Sequence, residues 1–97
     1  MIVSFGNKMT NDIYHGINSK DARKFPGNLN SIAFRKLDMI NSSNSINDLR
    51  VPPGNRLEIL KGNLSGFHSI RINEQFRIIF KMNGSNVEQV QIIDYHK

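Results

Sequence analysis

The hydrophobic pattern of this chain changes period at Val51-Pro52-Pro53-Gly54-Asn55. Two prolines without backbone N–H groups, followed by glycine, cannot continue a helix or a central strand, so the stretch separates two kinds of structure. Before it, Leu29, Ile32, Ala33, Leu37 and Ile40 recur at helical spacing with Arg35, Lys36 and Asp38 between them. This predicts an amphipathic helix over Leu29–Asn41, capped by Asn28 and broken by Ser42-Ser43-Asn44-Ser45. Ile2–Phe5 reads as a first strand and Asn11–Gly16 as one or two helical turns. Residues 18–28 are polar, contain Pro26-Gly27 and read as a loop or mobile segment; Ile46–Leu49 reads as a short turn. After the break, Leu57–Lys61 is a candidate strand. Phe67–Asn73 and Phe76–Met82 alternate, and Asn83-Gly84 is a hairpin signal returning the chain as Val87–Asp94. The expected fold class is α+β: one domain over residues 1–97, with N-terminal helices packed on a C-terminal antiparallel sheet.

Composition narrows the function. No cysteine is present, which excludes a disulfide scaffold, a thiolate metal site and a thiol nucleophile. No apolar run approaches the roughly 18 residues of a membrane span, and the start Met1-Ile-Val-Ser-Phe-Gly is unlike a signal peptide, so the expected compartment is the cytoplasm, with no membrane partner. His15, His68 and His96 are widely spaced, and no phosphate-binding glycine motif or Gly-x-Ser-x-Gly turn occurs; no metal and no cofactor is expected. The net charge is +5. Such an excess on a small surface favours a polyanionic partner, and in the second half most cations fall within expected strands, where they are held in place.

Two features could carry chemistry. Arg77 lies mid-strand beside Arg71 and Lys81, and this repulsion is offset either by solvent or by a bound anion. Asp94-Tyr95-His96 ends the last strand with a carboxylate, a stacking surface and a group that titrates near neutrality; taken alone, it is also what an exposed chain end looks like. Cleavage of RNA through its own 2′-hydroxyl requires orientation, two proton transfers and stabilisation of a developing phosphorane charge, and this inventory is compatible with all three.

The stretch Asp48-Leu-Arg-Val-Pro-Pro-Gly-Asn-Arg-Leu-Glu58, with Leu60-Lys-Gly62, Ser69-Ile-Arg-Ile-Asn73, Gln75-Phe-Arg77 and Asp94-Tyr-His96, resembles the HigB-type toxins of the RelE/ParE superfamily. Met1-Ile-Val-Ser-Phe5 and Phe34-Arg-Lys-Leu37 extend the similarity along nearly the whole chain. The resemblance implies a RelE-like RNase fold and the toxin of a type II toxin–antitoxin pair, cutting mRNA in the ribosomal 30S A site. It implies that Lys61 and Arg77 contact the scissile phosphate, that Asp94, Tyr95 and His96 complete the site, and that His96 moves a proton while Tyr95 stacks on a base. Arg71 and Lys81 become auxiliary phosphate or ribosomal RNA contacts. Glu58 stands where some relatives have His, as a base or a group repelling phosphate; Phe76 and Met82 stand where relatives often carry tryptophan. The implied partner is a helix-turn-helix antitoxin resembling HigA, through which the pair binds operator DNA. Lys20, Arg23 and Lys24 are expected contacts for the antitoxin or the ribosome. The superfamily also holds ParE-like inhibitors of DNA gyrase that perform no chemistry, and a non-toxic relative acting only with its antitoxin is a third reading; the Asp94-Tyr95-His96 ending favours the nuclease.

Overall fold

The computed structural model describes residues 1–95. Helix α1 spans Lys8–Tyr14; Asn7 caps it by accepting from the Thr10 N–H at 2.9 Å, and Gly16, at φ +70°, takes the left-handed conformation that ends it. Helix α2 spans Asn30–Ser42, one residue later than the pattern predicts. A 3-10 turn at Gly27–Leu29 occupies its entry, so Leu29 holds the cap position without a side-chain bond and Asn28 does not act as the cap. Ser43 closes the other end, its hydroxyl donating to the Ile40 carbonyl at 2.7 Å.

Strands β1 (Glu58–Ile59), β2 (His68–Arg71), β3 (Phe76–Asn83) and β4 (Asn86–Asp94) form an antiparallel sheet in the order β1-β2-β3-β4. Asn83 pairs with Asn86, so the hairpin loop is Gly84-Ser85, one residue beyond the expected turn, with Gly84 at φ +64°. One sheet face packs Ile70, Ile78, Phe80, Val90 and Ile92 on Ala33, Leu37 and Ile40 of α2. The opposite face carries a smaller cluster of Leu60, Phe67 and Ile79 with Leu64 and Ile93, which is why β3 is apolar on both sides around Ile79.

Three further expectations change in the folded chain. Ile2–Phe5 is not a continuous strand: Ile2 and Phe5 form single parallel bridges to Val87 and Val90. Between them β4 kinks, with Gln89 at φ +54° and its N–H turned onto the Ser4 hydroxyl at 2.8 Å, so the ladder cannot run through. Residues 18–28 form structure of their own, including a 3-10 turn at Ala22–Lys24. Ser19 donates to Asp12 at 2.6 Å, and Phe25 is buried edge-on against Phe76 with ring centroids 5.0 Å apart. The Pro-Pro-Gly break holds a 3-10 turn, Pro53–Asn55, after a cis Val51–Pro52 bond. Among the described residues no helix is long and apolar enough to cross a membrane.

Candidate active site

The sheet face turned away from the helices carries the candidate site. Arg77 pairs across β3 with Arg71 on β2 and with Ile93 on β4, so strand alternation sends all three side chains to that face. Glu58 joins them because it pairs with Ser69, two residues before Arg71 on β2. Arg77, Arg71 and Glu58, together with Arg56, Asn73, Glu74 and Tyr95, line an open cleft of about 370 Å³ at one end of the sheet.

Arg77 is only 6% exposed, which excludes solvent as the answer to the repulsion its sequence context poses. Its guanidinium is held from three sides. Nε donates to the Ser69 hydroxyl at 2.8 Å and Nη2 to the Arg56 carbonyl at 2.5 Å, while the guanidinium carbon lies 5.3 Å from the centre of the Tyr95 ring. Tyr95 is placed there by its own N–H, which donates to the Gln75 carbonyl at 2.7 Å. The Glu58 carboxylate stands 3.7 Å from Nη2 on a half-exposed side chain. Burial pushes the Arg77 pKa down, and the Arg71 and Arg56 charges add to this; Glu58, followed by Tyr95, pulls the other way. A guanidinium keeps its charge even so. Nη1 makes no hydrogen bond among the described residues. Three arginines face two glutamates in the cleft, leaving an excess of positive charge and an unused donor edge where an anion would bind.

The expected site residues do not all meet here. Arg77, Arg71, Glu58 and Tyr95 line one cleft. Lys61 follows β1 as an exposed residue at the start of the turn Gly62–Leu64 and is not part of the cleft lining. Asp94 pairs with Phe76, and alternation therefore gives it to the opposite face from Arg77; its carboxylate accepts from the Gln75 amide at 3.0 Å. Lys81 shares the face of Arg77 but lies four residues along β3, roughly 13 Å at strand rise, with its ammonium 4.9 Å from the centre of the Phe67 ring. His96 lies outside the described residues. The sequence reading missed Ser69, Arg56, Asn73 and Glu74. Ser69 had a usable signal, since it alternates in phase with Arg71; the carbonyl that Arg56 turns onto Arg77 had none, because it belongs to the backbone. Among the described residues no group of three or more His, Asp or Glu could hold a metal ion.

Comparison with known proteins identifies the family and the fold. Residues 3–96 match the family of HigB-like toxins, RelE-like toxins of the type II toxin–antitoxin system HigB. The chain is 41% identical to Toxin HigB-1 of Vibrio cholerae serotype O1 over 81 residues, 84% of this chain and 83% of the relative. It is 45% identical to an uncharacterized Haemophilus influenzae protein over 69 residues, 71% of this chain and 68% of that one. Among solved structures, a chain of the YoeB–YefM complex from Staphylococcus aureus superposes with a TM-score of 0.61 at 18% identity, covering 100% of this chain and 99% of the other. YafQ from E. coli strain BL21(DE3) superposes at 0.59 with 14% identity, covering 98% and 92%. At such identities the structural likeness speaks for the fold alone.

Proposed function

The chain belongs to the HigB-like family of RelE-like toxins from type II toxin–antitoxin systems, and on that premise we propose that it is a ribosome-dependent mRNA endonuclease that cuts through the RNA 2′-hydroxyl. The observation that carries the reading is Arg77: a buried guanidinium with one donor edge unused, stacked near an exposed tyrosine at the floor of a cationic cleft. In this scheme the scissile phosphate sits against Arg77 with Arg71 beside it, and the preorganised charge stabilises the extra negative charge of the phosphorane. The 2′-oxygen loses its proton to a base, attacks phosphorus and forms the 2′,3′-cyclic phosphate as the bond to the 5′-oxygen breaks. The departing 5′-oxygen takes a proton and leaves as a hydroxyl. Glu58 faces the phosphate position and can take the first proton; the family resemblance gives His96 the second transfer. Tyr95 offers 42% of its surface for stacking on a neighbouring base. Lys61 is the long, exposed cation that the resemblance assigns to the same phosphate, reaching it when RNA is bound.

The antitoxin that pairs with a toxin of this family is proposed to be HigA-like, a helix-turn-helix protein that carries the pair to operator DNA. Expression in growing cells tests the scheme. His96→Ala and Arg77→Ala are expected to relieve growth arrest while remaining folded by circular dichroism, with DNA supercoiling normal during wild-type arrest. Arrest retained in both folded variants would contradict it, and lost supercoiling would move the gyrase reading forward.

A further inference from the structure

We propose that Lys36 and Asn55 are positioning residues for Arg77, acting through the backbone of Arg56. Lys36, on α2, is only 8% exposed, and its ammonium donates to the Asn55 side-chain oxygen. It forms no ion pair among the described residues. A cation buried without a carboxylate is costly, and an apolar side chain of similar length would fill the space at lower cost, so packing alone does not account for it. Asn55 is fully buried and uses its amide on the Leu49 carbonyl at 3.1 Å and the Met39 sulfur at 3.2 Å. Lysine and asparagine thus tie the Pro-Pro-Gly-Asn segment to α2.

The residue so fixed is followed by Arg56, which adopts the left-handed conformation at φ +47°, ψ +55°, one that residues with a Cβ rarely take. That conformation turns the Arg56 carbonyl onto Arg77 Nη2 at 2.5 Å. Release of the lysine–asparagine tie lets Arg56 relax to ordinary backbone angles, removes the carbonyl and frees the guanidinium to rotate. The kinetic part of this inference rests on the nuclease reading; the positioning of Arg77 does not.

The test is NMR of the Arg77 Nη2–H signal, the donor to the Arg56 carbonyl, in wild type, Lys36→Met, Asn55→Ala and Arg56→Gly, alongside cleavage kinetics. A slowly exchanging signal is expected in wild type and lost in Lys36→Met and Asn55→Ala, while the amide signals of Ile70, Ile78 and Phe80 stay in place. Arg56→Gly is expected to keep it, because glycine holds positive φ unaided. In cleavage, kcat of the first two variants is expected to fall by about 10- to 100-fold with KM within about twofold, as for a displaced catalytic group. An unchanged Arg77 signal in folded Lys36→Met would overturn the inference, and a lost signal with unchanged kcat would overturn its kinetic part. If Asn55→Ala fails to fold, Lys36→Met decides alone. Wild-type protein that cleaves no RNA would overturn the nuclease reading, and the Arg77 signal would still decide the positioning.

Discussion

Single residues divide here into those whose role shows in sequence and those whose role depends on the folded backbone. Arg77 stands out by alternation, but its burial comes from Ser69, the Arg56 carbonyl and Tyr95, and none of these neighbours is local to it. Asp12 was not singled out in sequence at all. It is nearly fully buried at the end of hydrogen bonds from Lys8 and Ser19, each 2.6 Å, and from Asn11 at 3.1 Å. The Lys8 bond, then the Ser19 bond, hold its carboxyl down from 3.8 to about 2. A carboxyl depressed on folding stabilises the native state above its unfolded value and loses that contribution as pH falls through the folded one. Asp12→Asn is therefore expected to lower the urea midpoint at pH 7, with the gap from wild type closing between about pH 4 and about pH 2. A gap independent of pH would show that the ion pair is not what Asp12 contributes.

At the scale of elements, the most legible parts were those whose periodicity and burial coincide. Ala33, Leu37 and Ile40 are all fully buried, and β3 and β4 fall within a residue or so of their expected ends. β1 shrinks from Leu57–Lys61 to Glu58–Ile59, since Arg56 turns left-handed just ahead of it and the turn Gly62–Leu64 begins just after. Residues 18–28 look like a loop by composition; turns within the segment, the Ser19 bond to Asp12 and the packing of Phe25 on Phe76 order them. Leu37 sits where α2 meets the sheet, with no exposed surface. Leu37→Ala is expected to destabilise the fold by about 2–5 kcal/mol in chemical denaturation, the range for a large buried truncation that leaves a cavity. A loss under about 1 kcal/mol would mean the α2–sheet interface is more plastic than this packing implies.

Over the whole molecule, the two faces of one sheet have separate tasks. The helices cover one, and the other is sealed at its middle by Leu60, Phe67 and Ile79 and left open at the Arg77 end. The candidate residues were readable as residue types in order, Arg77, Arg71, Lys81 and Asp94-Tyr95-His96 from the residues themselves, Lys61 and Glu58 from the resemblance. Their separation across faces was not, since it depends on the register that pairs Asp94 with Phe76 and Arg77 with Ile93. If Arg56, Arg71 and Arg77 engage about three phosphates of single-stranded RNA, log affinity is expected to fall against log salt with a slope of about −2, reduced by about 0.7 in Arg71→Ala. An unchanged slope in that variant would remove Arg71 from the phosphate path. The most direct test of the central claim is primer extension on a defined mRNA translated in a purified system, with wild-type protein beside His96→Ala. Cuts that require ribosomes and vanish in the variant are the expected result; no cuts from folded wild-type protein would contradict it.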